Sequence, residues 1–176
     1  MISKIVILGA GKSGVGAAIL GKKKGYDVFI SDKKEIDENL KDFLNRQGIQ
    51  WEAGGHSIEA MKSADFIIKS PGISSDSYII KKLIHEGKDI ISEIEFASRY
   101  TSAILIGITG TNGKTTTTML TYKILKDAGL NVGIAGNIGD SFAFQVAQNN
   151  FDYYVLEISS FQLDDICEFV PHISVI

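Results

Sequence analysis

Gly110-Thr111-Asn112-Gly113-Lys114-Thr115-Thr116-Thr117 follows the apolar run Ala103-Ile104-Leu105-Ile106-Gly107-Ile108 and opens a segment with helical periodicity. A strand, a glycine-bearing turn and a Lys-Thr pair at a helix start form a phosphate cradle. Backbone N–H groups of the turn and first helical turn point at the anion, and the helix dipole adds partial positive charge. Lys114 is expected to bring a full charge to the outer phosphates, and the Thr115 hydroxyl can ligate Mg²⁺. The strict P-loop pattern places a Gly where this chain has Ile108, so the motif is the shorter Gly-x-x-Gly-Lys-Thr. A plain glycine turn capped by Thr111 or Asn112 is the bland alternative; it leaves the order strand, turn, Lys-Thr, helix without a reason.

Working outward, the composition bounds what can surround this loop. The 176 residues lie between one domain and two, and 44% hydrophobic with 22% charged residues is a balance that buries a core. A net charge of −3 argues against a general nucleic-acid binder. No apolar run is long enough for a membrane span, and the N-terminal run ends in a glycine motif rather than a small-residue cleavage site. The lone Cys167 excludes an intrachain disulfide framework and fits a reducing cytoplasmic setting. It is expected to be a small buried side chain.

Apolar runs and amphipathic segments alternate along the chain. Residues 4–8, 27–30, 65–68, 89–91, 103–108, 131–135, 153–156 and 172–176 read as strands, most of them Ile/Val-rich without strict alternation, as buried parallel strands are. Helical faces are expected at Ile36, Leu40, Phe43 and Leu44, at Ile79, Ile80, Leu83 and Ile84, and at Leu120, Ile124 and Leu125. Gly25, Gly48, Gly87 and Gly129 fall where helices end, and Asp140 where one begins. The expected fold is α/β: a Rossmann-like doubly wound parallel sheet over residues 1–93, followed by the start of a P-loop α/β ATPase domain over 94–176. The second unit ends on an apolar strand with no covering helix, and the chain reads as the N-terminal part of a longer enzyme.

A second glycine loop, Gly9-Ala10-Gly11-Lys12-Ser13-Gly14, follows the first strand and fits Gly-x-Gly-x-x-Gly, with Asp32 standing 18 residues beyond Gly14 at the end of the next strand. Taken alone, this is the pattern of an NAD or FAD site. The physics specifies only a diphosphate at a helix N-terminus, which any dinucleotide or nucleotide-diphosphate sugar satisfies. Lys12, Lys33 and Lys34 suit an anionic ligand. Ser70-Pro71-Gly72-Ile73 follows another strand on the same sheet edge, and is either a ligand-contacting turn or simply a tight one. Further on, Tyr153-Tyr154-Val155-Leu156 ends in Glu157, an acid placed to meet Mg²⁺ beside Thr115. Asn137 follows a strand on that edge, and Ser159 lies just beyond Glu157.

Four segments in this order and spacing resemble the ATP-dependent Mur ligases of peptidoglycan synthesis, and most of all their D-glutamate-adding branch: residues 9–14, 70–73, 110–115, and Leu156-Glu157-Ile158-Ser159-Ser160-Phe161-Gln162-Leu163. The resemblance implies that the first domain holds UDP and not NAD. Lys12, Ser13, Gly14, Asp32, Lys33, Lys34 and Gly72 would then form the uridine-diphosphate pocket, and Asn137 and Ser159 would face the muramoyl-alanine part. Gly110 through Thr117 would cradle ATP, with Lys114 the catalytic cation and Thr115 and Glu157 serving Mg²⁺. The implied partners are UDP-N-acetylmuramoyl-L-alanine and D-glutamate, joined through an acyl phosphate. The family's further His, modified lysine and amino-acid-binding domain are expected beyond Ile176, because His56, His85 and His172 do not occupy that motif. The fragment alone is therefore expected not to catalyse ligation.

Overall fold

The inner strand β1 (Lys4–Leu8) shows how the first half is built. Ile5 and Ile7 point to one face and Val6 and Leu8 to the other, and all four are fully buried; side chains alternate across a strand, so an unbroken apolar run needs cover on both faces. One face packs under α1 (Lys12–Lys23) and α2 (Glu38–Arg46). The other packs under α3 (Ile58–Lys62) and α4 (Tyr78–His85), through Met61, Ile79, Ile80 and Leu83. The strands β2 (Asp27–Ser31), β3 (Gln50–Glu52), β4 (Phe66–Lys69) and β5 (Ile90–Ser92) complete a five-stranded parallel sheet in the order β3-β2-β1-β4-β5. The order reverses between β1 and β4, and a crevice opens at such a switch point. The computed structural model describes residues 2–176.

A second parallel sheet contains β6 (Ile104–Ile108), β7 (Val132–Gly136), β8 (Tyr153–Glu157) and β9 (Ile173–Val175), in the order β7-β8-β6-β9. Helix α6 (Lys114–Asp127) covers one face through Tyr122 and Leu125. Helix α7 (Phe142–Gln148) covers the other. The two sheets are not separate bodies. The apolar cluster on the α1 face runs without a break through α5 (Glu93–Ser98) and α7 into the second sheet, including Phe96, Phe142, Tyr154 and Leu156. Gly16 on α1 lies so close to α7 that a Cβ there would overlap Ser141 Oγ.

Polar bonds reinforce this joint. Lys69 at the end of β4 is 2% exposed and pairs with Asp165 at 2.7 Å. Glu95 Oε2 accepts from the backbone N–H groups of Cys167, Glu168 and Phe169 at 2.8–3.1 Å. Burial opposes ionisation of Glu95, but those three donors and Arg99 outweigh it and hold the carboxyl below its ordinary range.

The expected α/β architecture with parallel sheets is present, and Gly25, Gly48, Gly87 and Gly129 each follow a helix end with positive φ. Several expectations need correction. Strand β3 was not anticipated, because a three-residue edge strand has too little periodicity to read. The cap of α7 is Ser141, whose Oγ accepts from Phe144 N at 3.3 Å; Asp140 stands one residue early and accepts from the Gln145 amide. Leu120 and Ile124 are 58% and 59% exposed, so the inward face of α6 is the one carrying Leu125 and Tyr122. Ile84 likewise turns outward on α4. Cys167 is exposed and not buried, since the turn holding it is fixed through its backbone N–H to Glu95 and not through its side chain.

Candidate functional site

Two glycine loops occupy the C-terminal ends of the central strands of their sheets. The first connects β1 to α1, with Gly11 as N-cap and Lys12 as the first helical residue. Gly14 lies inside that helix at its closest approach to the loop, where a Cβ would overlap Gly9 O. The loop is braced by Asp32: Oδ2 accepts from Ala10 N at 2.7 Å and Oδ1 from Lys34 N at 2.8 Å. Each carboxylate oxygen thus already holds a backbone N–H.

Above this loop is a cavity of about 780 Å³, lined among others by Lys12, Ser13, Asp32, Lys33, Lys34 and Gly72. That volume suits a nucleotide-sized ligand. Six of the seven residues expected at the first site therefore converge on one space, and Gly14 supports it from beneath. Sequence reasoning missed Tyr78 and Gly54-Gly55-His56, which also line it. The available signal was the Gly-Gly-His turn just past Trp51, but its strand was too short to place the turn on the sheet edge.

The second loop connects β6 to α6. Gly113, the N-cap of α6, has φ +76°, a left-handed conformation that favours glycine. Lys114 Nζ folds back over the loop, donating to Gly110 O at 2.8 Å and to Thr111 O at 3.4 Å. These carbonyls hold the ammonium at the mouth of the loop.

Glu157 ends β8, paired in register with Ile108 of β6, which places it beside the loop strand. The residue is 1% exposed and is held on both sides: Thr115 Oγ1 donates to Oε2 at 2.7 Å and Asn137 Nδ2 to Oε1 at 2.7 Å. The structure thus brings Glu157 beside Thr115, as the sequence led one to expect, and adds Asn137 as a second donor to the same carboxylate. Ser159 lies two residues beyond Glu157 and caps the short helix α8 (Ser160–Leu163); its N–H donates to Gln162 Oε1 at 3.0 Å. Asn137 and Ser159 belong to this second site and do not line the first cavity.

A hydroxyl and a carboxylate 2.7 Å apart are hard oxygen donors of the kind Mg²⁺ takes. Among the described residues no group of three or more His, Cys, Asp or Glu side chains could hold a metal by itself. The set fits an ion that completes its shell with phosphate oxygens and water. Among the described residues no helix is long and apolar enough to cross a membrane.

Two switch-point loops, one under a nucleotide-sized cavity and one beside a buried carboxylate, mark this as a two-sheet parallel α/β protein. The chain belongs to the Mur ligase family: residues 4–79 match the MurD N-terminal domain and residues 108–176 the Mur ligase middle domain. It is 56% identical over 175 residues to a UDP-N-acetylmuramoylalanine--D-glutamate ligase of Bacteroides fragilis, covering 99% of this chain and 39% of that protein. A protein of the same name from Christiangramia forsetii is 51% identical over 176 residues, covering 100% of this chain and 40% of that protein. The chain thus spans about two fifths of the length of these relatives. Among solved structures, a pseudomurein peptide ligase type C from Methanothermus fervidus matches with TM-score 0.54 and 32% identity, over 90% of this chain and 33% of that one. The UDP-N-acetylmuramate:L-alanyl-gamma-D-glutamyl-meso-diaminopimelate ligase from Neisseria meningitides shares the fold, with TM-score 0.59 and 23% identity over 89% of this chain and 52% of that one.

Proposed function

We propose that this chain is the nucleotide-binding part of an ATP-dependent ligase of peptidoglycan synthesis that joins D-glutamate to UDP-N-acetylmuramoyl-L-alanine. The observation that carries the reading is the Glu157 carboxylate, held by Thr115 and Asn137 beside the Lys114 loop. A nicotinamide-dependent oxidoreductase built on Gly9–Gly14 would have no use for it. The names of the relatives, at 51–56% identity, point to the same reaction.

In this reading residues 1–93 form the UDP-binding unit and residues 94–176 begin the ATP-binding one. Lys12, Ser13, Lys33 and Lys34 meet the diphosphate, while Asp32 and Gly14 hold the loop in shape for it. Gly110–Thr117 cradles ATP. The terminal carboxylate of the UDP-linked substrate attacks the γ-phosphate, the bond to the β-phosphate breaks and ADP leaves, giving an acyl phosphate. The neutral D-glutamate amine then attacks that carbonyl, phosphate leaves, and the nitrogen gives up a proton to form the amide. Two anions must approach one another in the first step, so charge neutralisation dominates the barrier. Lys114 supplies one positive charge after leaving the Gly110 carbonyl. Thr115 and Glu157 would hold Mg²⁺, which supplies further neutralisation of the triphosphate when bound. Asn137 fixes the carboxylate, and it and Ser159 would meet the muramoyl-alanine end. Both nucleotides are cytoplasmic metabolites, which supports a cytoplasmic location.

Phosphate release by the full-length protein tests the reaction. It should require ATP, the UDP-linked substrate and D-glutamate together. Tight NADH binding with no UDP binding would overturn the assignment.

A further inference from the structure

One wall of the first cavity contains a hydrogen-bond relay that none of the phosphate chemistry uses. Ser31, fully buried at the end of β2, has its Oγ 2.6 Å from Glu52 Oε1 and 2.7 Å from His56 Nδ1. Glu52 Oε1 also accepts from Ser57 N at 2.7 Å. Burial opposes ionisation of Glu52, but the bonds from Ser31 and Ser57 more than offset it and hold the carboxyl below its ordinary range. Glu52 is therefore a carboxylate at neutral pH and has no proton to give.

A hydroxyl has only one proton. Ser31 gives it to Glu52, because an ionised carboxylate can only accept across a 2.6 Å contact, and if the proton went instead to His56 Nδ1 two oxygen lone pairs would face each other there. Gly55 O, at 3.5 Å, is too far to compete. The Ser31 oxygen must then accept from His56, so Nδ1 carries the imidazole proton. Burial lowers the His56 pKa most; Glu52 and Asp32 pull it up and Lys33 pushes it down, and the net position is below the usual 6.5. At neutral pH the ring is uncharged, with its lone pair on Nε2. No hydrogen bond among the described residues engages Nε2, and His56 lines the cavity.

The rest of this cavity is rich in donors and cations: Lys12, Lys33, Lys34 and the free N–H groups of the α1 start. Its one carboxylate, Asp32, already accepts a backbone N–H on each oxygen. We propose that His56 Nε2 is an acceptor that recognises the nucleoside end of the bound nucleotide, taking a neutral N–H or O–H donor from the base or ribose, and that Ser31 and Glu52 are positioning residues that set its tautomer. This rests on the reading that the cavity holds a uridine nucleotide.

The test begins on the unaltered protein. Long-range ¹H–¹⁵N NMR of the ¹⁵N-histidine-labelled protein at pH 7.5, with His56→Phe identifying the signal, should find Nδ1 protonated and Nε2 bare. An Nε2–H tautomer would overturn the proposal. Calorimetry with UDP should then give at least about tenfold weaker binding for His56→Phe. His56→Gln, which keeps an acceptor, should recover part of that loss, and Ser31→Ala should show mixed tautomers and intermediate affinity. The donor is located with 3-methyl-UDP and 2′,3′-dideoxy-UDP: the analogue lacking the bonded donor should bind wild type and His56→Phe equally. If UDP binds wild type and His56→Phe alike, the inference is wrong although the nucleotide reading survives. If UDP does not bind wild type at all, the nucleotide reading itself fails, and the inference with it.

Discussion

The Thr115 hydroxyl donates to Glu157 Oε2 at 2.7 Å across 42 positions of sequence, tying the first turn of α6 to the end of β8. Asn137 takes the other carboxylate oxygen, so both are directed by donors and the acid cannot rotate away from the loop. Glu157→Gln would set an NH₂ group against one of these two donors. If the full-length protein is the proposed ligase, the substitution is expected to lower its kcat by about 100-fold, as loss of a preorganised charge at a phosphoryl-transfer site does. UDP affinity should be unchanged, because Glu157 does not line the first cavity. Steady-state kinetics alongside calorimetry checks both halves of this expectation.

Lys114→Met removes the ammonium that rests on Gly110 O. Because the loop conformation is set by Gly113 and the flanking β6 and α6 rather than by this bond, the melting temperature should move little. ATP-dependent phosphate release should fall by roughly 10²–10³-fold. A large drop in melting temperature would instead make Lys114 a structural residue.

The Lys69–Asp165 pair should be among the costlier polar contacts to break singly. Lys69 is 2% exposed and also donates to Ile73 O, fixing the turn that walls the first cavity. Lys69→Met leaves Asp165 without its buried counter-ion, an uncompensated charge costing about 3–5 kcal/mol. Lys69→Met/Asp165→Leu should recover most of this, and denaturant titration of the two single variants and the double variant measures the coupling.

Glu93 sits at the joint, with Oε1 accepting from Ala143 N and Oε2 buried without a partner. Burial raises its pKa from 4.5 to about 7. The folded state thus holds this proton more tightly than the unfolded one. Its stabilising contribution is complete below pH 4.5, declines as pH rises from there, and is gone above about pH 7. Glu93→Gln keeps the acceptor and removes the titration. The variant should match wild type near pH 4.5 and exceed it at pH 8 by up to roughly 3 kcal/mol. Urea denaturation of both proteins from pH 4.5 to 8 reads out the difference.

Much of the fold was legible because its signals are local. The Ile/Val runs of β1, β4 and β6 are buried on both faces, and the glycines ending α1, α2, α4 and α6 stand where the backbone turns left-handed. Both glycine loops were legible for the same reason: strand, glycine turn and helix start are contiguous in sequence. Where reading failed, the deciding partner was distant. Leu120 and Leu125 look alike on α6, and only the position of the second sheet decides that Leu125 packs inward. Cys167 is exposed because Glu95, 72 positions away, holds its backbone.

By itself the sequence determined the two glycine loops, the alternation of strands and helices, and the residue types at each loop, since all of these depend on neighbours within a few positions. Tertiary structure alone decided that Thr115 and Asn137 share one carboxylate, and that Lys69 and Asp165 lock the halves together. It also decided that Ser31 links Glu52 to His56 and so selects which imidazole nitrogen faces the cavity. The physical reason is reach: a hydrogen bond is satisfied within about 3 Å of space, and parallel crossovers bring side chains into that range from strands that the sequence keeps far apart.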